Sequence, residues 1–350
     1  MSAPALAGRR SAWDTRRTVV AAAYTVAAVI AVVLPFTSPP YVVQNYTRVL
    51  IVALPAIGLN MLTGYAGLIS LGQSAFFGLG AYVTAILAGD HGWAWWETTP
   101  LAMLLAFGAG MLVGVPSLRI KGIYLAVVTL VLAAFFPSII MRFNHLTGGN
   151  QGKTLDVMEA PSWLPFESDQ FGYFVCALIL VVVMVLMHNL ARSRAGRSLV
   201  ALRDNQTAAA MMGVDRARTN IAIFGVSASL AGLAGSLFSA TQGIVSSETA
   251  YLTLGGSIQF IAAMVLGGPT TVVGPLVGSA ITERLPVVLS GIDPVLAQVI
   301  YGALLIVVVL LMRGGIGGVA SRLLNRILRR YTSRRRESAP GVVIQPREIE

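Results

Sequence analysis

The sequence predicts an all-α polytopic helical membrane protein, and three observations carry that prediction. Of 350 residues, 55% are hydrophobic and only 11% are charged, with a mean hydropathy of +0.74. A soluble domain carries charge on roughly a quarter of its residues, so this chain cannot cover a water-facing surface. Apolar runs recur from end to end, and crossing a hydrocarbon core takes roughly 20 helical residues. The charges fall in short clusters between those runs without aromatic interleaving, so the net +10 reads as a topology signal and not as a nucleic-acid footprint. A cytosolic enzyme, a disordered scaffold and a disulfide-stapled secreted domain are excluded. The lone Cys176 sits inside an apolar run as a small hydrophobe.

Taken in order, the candidate spans are about 18–35, 46–63, 70–88, 99–116, 122–141, 171–190, 219–242, 255–268, 273–289 and 295–312. The third, eighth and ninth are short or rich in Gly and Pro, so the expectation is eight to ten transmembrane helices. The first follows Arg16 and Arg17 and lacks a small-residue cleavage site, which makes it a retained span. With the N-terminus in the cytoplasm, 21 of the 25 Lys and Arg fall inside and nine of the 15 acids outside. That bias places both termini in the cytoplasm. The chain then divides into a basic cytoplasmic N-terminus (1–17), a transmembrane domain (18–312) and a basic cytoplasmic tail (313–350). Within the domain lie an external loop (142–170) and a cytoplasmic loop (191–218). In the tail, Leu323, Leu324, Ile327, Leu328 and Tyr331 share one helical face opposite four Arg, a pattern that rests on anionic membrane lipid. Beyond Arg336 the composition is that of a disordered segment.

No catalytic constellation is present in the sequence. His91, His145 and His188 have no ligand spacing, so no metal and no cofactor is expected. Glu283 is the one acid well inside an apolar run, and the adjacent Arg284 suits it to an interfacial structural role. The stretch 147–154 ends in Gly-Lys-Thr, yet Thr147 stands where a phosphate-binding loop needs its first Gly. It reads as a polar external loop or gate.

Two segments depart from plain spans. Residues 63–82 carry Gly64, Gly67, Gly72, Gly78 and Gly80 with Ser70, Gln73 and Ser74; residues 266–280 carry Gly267, Gly268, Pro269, Gly274, Pro275 and Gly278. Gly costs about 1 kcal/mol and Pro about 3 kcal/mol in a helix interior, so both are expected to break. Paired broken segments point to a transport pathway; small residues equally serve close helix packing, as in Gly110…Gly114 and Gly274…Gly278. The two uses are compatible. In the inside loop, Asp204 or Asn205 can cap a short helix over 206–212 that Gly213 stops. Ala208, Ala209, Ala210, Met211 and Met212 give it a small apolar surface, suited to another protein's groove or to the bilayer surface.

The stretches GLNMLTGYAGLISLGQSAFFGLGAYVTAIL (58–87), RIKGIYLAVVTL (119–130), the loop and helix at 196–237 and FIAAMVLGGPTTVVGPLVGSA (260–280) together resemble the branched-chain amino acid permease family of ABC importers, in its LivM-type branch. The likeness spans about residues 45–312. It implies a bacterial inner-membrane permease subunit that is not itself an enzyme. Its implied partners are two cytoplasmic ABC ATPase subunits, a second LivH-like permease and an external substrate-binding protein. By the same likeness, Arg203, Asp204, Asn205, Ala209 and Gly213 carry ATPase coupling. The translocation pathway falls on Thr63, Gly64, Ser70, Gln73, Ser74, Tyr124 and Thr129, to which the second broken segment adds Gly267 and Gly268. Thr147, Gly148, Gly149 and Asn150 form the external loop or gate, with Asn150 where the family motif usually has Ser and Lys153 following. Other readings are a urea or amide permease subunit on the same plan and an ion-coupled secondary carrier. The latter would normally place acids or His within its spans.

Overall fold

The computed structural model describes residues 31–118, 122–161, 166–289, 299–300 and 302–303. The basic N-terminus, most of the first and last expected spans, Arg119, Lys121 and the Arg-rich tail lie outside the described residues. Residues 31–37 are helical. Then follow α1 (Pro40–Leu59), a π-helical stretch (Asn60–Tyr65), α2 (Gln73–His91), α3 (Trp95–Gly114), a 3-10 turn (Pro116–Leu118), α4 (Ile123–Arg142) and a single turn α5 (Asn144–Thr147). Next come α6 (Ser168–Arg192), α7 (Arg194–Asp204), α8 (Gln206–Met211), α9 (Arg216–Gln242), α10 (Leu254–Gly267) and α11 (Gly274–Leu289). Two-residue strands β1 (Lys153–Thr154) and β2 (Ile244–Val245) pair antiparallel, Lys153 opposite Val245. The chain is all-α.

Local chemistry explains the boundaries. Pro40 opens α1, where its missing N–H costs nothing. Gly92 (φ +66°) and Gly243 (φ +71°) end α2 and α9 in the left-handed conformation that only Gly adopts freely. The helices α7, α8 and α9 begin on Ser193, Asn205 and Asp215, each side chain accepting a backbone N–H of its own first turn.

Five described stretches are long and apolar enough to cross a membrane: Pro40–Tyr65, Trp95–Leu118, Ile123–Arg142, Ser168–Arg192 and Arg216–Gln242. The expected spans 46–63, 99–116, 122–141, 171–190 and 219–242 fall on these. The expected span 70–88 begins three residues later at α2, and 255–268 and 273–289 are the shorter α10 and α11.

Burial sorts the helices into an inner and an outer set. The apolar windows of Pro40–Tyr65 and Arg216–Gln242 are 83% and 78% buried, whereas those containing α3, α4 and α6 are 22–28% buried. The inner helix α9 packs on α1, α2 and α3. Its small residues allow that: a Cβ on Gly235 would meet the Phe77 carbonyl oxygen at 1.8 Å, and one on Gly110 would meet the Ala228 side chain at 2.4 Å. Likewise a Cβ on Gly278 would meet the Ala263 carbonyl oxygen at 1.8 Å, so both G-x-x-x-G stretches serve close packing. Phe77, Phe238, Tyr251 and Phe260 form an aromatic cluster with centroids 5.3–6.2 Å apart. The outer helices turn large apolar side chains outward, among them Val127, Val131 and Phe135 of α4 and Leu178, Val182 and Leu186 of α6.

Candidate functional site

Helix α7 begins directly after α6, and its basic, amphipathic sequence buries only Gly196, Leu199 and Leu202. Asp204 ends it and pairs with Arg203 at 3.4 Å. Of the two candidate caps, Asn205 is the one used: its Oδ1 accepts the Ala208 N–H at 3.0 Å. The helix it starts, α8, is closed by a Schellman arrangement, with Gly213 N–H on the Ala210 carbonyl (3.0 Å) and Val214 N–H on the Ala209 carbonyl (3.1 Å). Gly213 holds φ +84°. Ala209 faces inward and is buried, whereas Met211 and Met212 are 86% and 85% exposed. An uncharged double-Met tip on a basic hairpin is a preformed knob.

That knob is joined to the first broken segment. The Arg203 guanidinium donates to the Gly64 carbonyl at 2.5 Å, and Gly67 (φ +71°) lies so close that a Cβ there would stand 2.6 Å from Arg203 Cγ. Residues 60–65 are wound as a π-helix, an arrangement frequent at functional sites. After it, residues 67–72 leave the helix until α2 starts at Gln73. Within the break the Thr63 hydroxyl donates to the Leu68 carbonyl at 3.0 Å.

The second broken segment interrupts the chain between α10 and α11, beginning at Gly268 (φ +98°). The two breaks meet. Asn60 Oδ1 accepts the Thr270 N–H at 2.8 Å, and Asn60 Nδ2 donates to the Thr271 carbonyl at 2.6 Å. The Tyr65 hydroxyl donates to the Thr270 carbonyl at 2.9 Å. Thr270 stands at φ +67°, alone among the described non-Gly residues in that region. A β-branched residue there stores strain of about 1–3 kcal/mol that its surroundings must hold. Asn60 is absent from the residues picked out by sequence. The signal that could have found it is an amide inside an apolar run, which must find partners when buried.

A third group is a buried polar array at the start of α2. Gln73 Nε2 donates to the Ser227 hydroxyl (2.7 Å), and the Ser257 hydroxyl joins the Ser74 N–H (3.0 Å) and hydroxyl (2.8 Å). The Leu71 N–H reaches the Thr129 hydroxyl at 2.9 Å. Ser70, Gln73, Ser74 and Thr129 are all buried; Gln73 and Ser74 reach across to α9 and α10, Thr129 of α4 takes the Leu71 N–H, and Ser70 takes the Gly72 N–H. Thr63, Gly64 and Gly268 belong to the two breaks instead, and Gly267 is the last residue of α10 beside the second. Tyr124 joins neither group: it is 77% exposed on the outward face of α4.

The loop after α4, expected outside, folds back on the bundle. Gly148, Gly149 and Gly152 have φ of +72°, +55° and +77°. The buried Thr147 hydroxyl donates to the Ile140 carbonyl at 2.8 Å, and Asn150 Oδ1 accepts from the Ser247 hydroxyl at 2.8 Å. Lys153 pairs with Asp90, and its strand pairing to β2 leaves no phosphate-binding loop. At the same end Glu283 points inward and accepts from Tyr251 (2.9 Å) and Gln259 (2.6 Å). Arg284 does not pair with it but stacks over the Tyr46 ring at 3.9 Å. Burial, and then the Glu283 carboxylate, push the Tyr251 phenol above its ordinary value, so it remains a donor. Among the described residues no group of His, Cys, Asp or Glu could hold a metal ion.

Residues 41–309 match the family model described as branched-chain amino acid transport system / permease component. The chain is 34% identical over 263 residues to the high-affinity branched-chain amino acid transport system permease protein LivM of Escherichia coli, covering 69% of this chain and 61% of that protein. It therefore spans about three fifths of the length of that relative. It is also 24% identical to the E. coli permease protein LivH, over 76% of this chain and 91% of that protein. The autoinducer 2 import system permease protein LsrC of Yersinia enterocolitica is 29% identical over 54% of this chain and 51% of that protein. No solved structure matches. The π-wound break, the capped hairpin and the matched 41–309 region lie in one stretch of sequence, and the chain belongs to the family of branched-chain amino acid transport system permease components.

Proposed function

We propose that this chain is the membrane-spanning permease subunit of an ATP-driven ABC importer in the bacterial inner membrane. It would carry branched-chain or related amino acids handed over by an external binding protein, working with a second LivH-like permease and two cytoplasmic ATPase subunits. The observation that carries the reading is the α7–α8 hairpin. It offers an exposed apolar tip at Met211 and Met212 while Arg203 grips the carbonyl of Gly64 in the broken first segment. A six-residue helix has no stability of its own, so its capping at both ends favours a part built to be held by a partner. ATP-driven closure of the ATPase pair would move the hairpin, and Arg203 would pass that movement to the first broken segment. Energy enters because the ATPases bind one arrangement of the permease more tightly than the other. The four Arg of the hairpin and its flank, at 192, 194, 197 and 203, suit the cytoplasmic side.

The test is uptake of radiolabelled leucine by vesicles holding the whole assembly. Uptake should need internal ATP and continue when a protonophore collapses the proton gradient. Gly213→Val should lower it about fivefold or more, because a β-branched residue resists the left-handed conformation, with insertion into the membrane unchanged. Uptake that follows the proton gradient and ignores ATP would sink the reading.

A further inference from the structure

The two interrupted segments lie more than 200 residues apart in sequence, yet side chains of the first bond the second: Tyr65 donates once, to the Thr270 carbonyl, and Asn60 makes two bonds, to two residues. Asn60 is 2% exposed. Its amide has one donor group and one acceptor group, and each is used on a different residue of the 268–273 break: Oδ1 takes the Thr270 N–H and Nδ2 gives to the Thr271 carbonyl. Only one orientation of the amide satisfies both bonds. The bonds reach the backbone directly, so they follow the path of the chain and not the rotamer of a neighbouring side chain.

The surroundings are shaped to this contact. A Cβ on Gly64 would stand 2.5 Å from Asn60 Oδ1 and 3.0 Å from the Thr270 nitrogen, so the bare glycine makes room for the bond. Four residues along the π-wound stretch, the carbonyl of that same Gly64 is held by Arg203. Thr270, which Asn60 grips, is the described non-Gly residue with positive φ. A hook from the hairpin and a clamp onto the second break thus close on one short stretch, residues 60–64.

We infer that Asn60 is a positioning residue that makes the two breaks move as one unit, so that displacement of the hairpin through Arg203 and Gly64 reaches α10 and α11 as well as α1 and α2. This rests on the reading of the chain as an ATPase-driven permease. Without the clamp, the hairpin still pulls the first break, but the second is held to it only by the exposed Tyr65–Thr270 bond, too little to carry the movement. ATP is then hydrolysed without productive reorientation.

The experiment compares ATP hydrolysis and leucine uptake in the reconstituted assembly. Asn60→Leu removes both bonds at similar volume. It should lower uptake per ATP about tenfold or more, as expected for leaving buried peptide groups unpaired, while the hydrolysis rate stays within about twofold. A second variant adds Thr270→Gly, which takes positive φ without help. If Asn60 serves only to hold the strained backbone, the double variant regains uptake, and that rescue would overturn the inference; continued uncoupling supports it. Unchanged uptake in Asn60→Leu would overturn it as well. Should Asn60→Leu fail to assemble, Asn60→Ala decides, since it removes both bonds with a smaller side chain and leaves the Arg203–Gly64 contact in place. A fall in uptake per ATP supports the clamp, and unaltered coupling refutes it. Wild-type uptake that ignores ATP would bring down the permease reading first, whatever the variants do.

Discussion

Single residues in this protein matter chiefly where there is no room for an atom more. Gly235 faces the Phe77 carbonyl oxygen so closely that a Cβ would stand 1.8 Å away, and a backbone carbonyl cannot step aside as a flexible side chain can. Gly235→Val should therefore destabilise the detergent-purified chain by about 3 kcal/mol or more, seen as a fall in its thermal unfolding midpoint. Gly108, whose added Cβ would meet nothing within 4 Å, supplies the contrast: Gly108→Ala should be neutral or stabilising by up to about 1 kcal/mol. Both glycines look alike in the sequence. A residue's environment is equally illegible for Tyr124, which the resemblance puts on a pathway and the fold puts 77% exposed on α4. Ser70, Gln73, Ser74 and Thr129, from the same expectation, are all buried, and each finds a partner outside the set: Gln73 bonds Ser227, Ser74 bonds Ser257, and Thr129 and Ser70 take the N–H groups of Leu71 and Gly72.

At the scale of elements, punctuation was readable and trajectory was not. The 206–212 helix and its Gly213 stop follow from capping chemistry, and the structure gives α8 over Gln206–Met211 with the Asn205 cap. The sequence left Asp204 and Asn205 as equal candidates; Asp204 is instead the last residue of α7, a helix that the loop 191–218 did not announce. Removing the cap should show directly. Asn205→Ala deletes the acceptor for the Ala208 N–H, at a cost of about 1 kcal/mol, so limited proteolysis between residues 205 and 213 should speed up about fivefold, while Asn205→Asp keeps near-native resistance. Equal cleavage of Asn205→Ala and the parent would show that the cap holds nothing. Both Gly/Pro-rich segments break, as their composition demands, but the first does so through a π-helical stretch at 60–65 that begins before its Gly cluster. That stretch begins at Asn60, whose amide meets a loop that arrives from 210 residues away.

For the whole molecule, the charge bias predicts an orientation that labelling can check. With Cys176→Ser as background, the buried thiol being the one Cys of the chain, Glu159→Cys lies on the 142–170 loop, expected outside, and Met212→Cys on the hairpin tip, expected inside. A membrane-impermeant maleimide applied to intact cells should label Glu159→Cys and spare Met212→Cys; the reverse pattern would invert the topology. Composition by itself determined that the chain is helical and membrane-spanning, because too few charges are present to face water, and capping and turn chemistry located the Gly213 stop and both breaks to within a few residues while leaving the cap open between Asp204 and Asn205, since these obey rules a few residues long. Only the tertiary structure decided which helices are inner and which outer. The windows of Pro40–Tyr65 and Ile123–Arg142 are both apolar, with hydropathies of 1.5 and 2.5, yet they are 83% and 28% buried. Lipid and protein interior are equally apolar surroundings, so composition cannot tell them apart, whereas small residues, close backbones and the reach of one amide between distant breaks can.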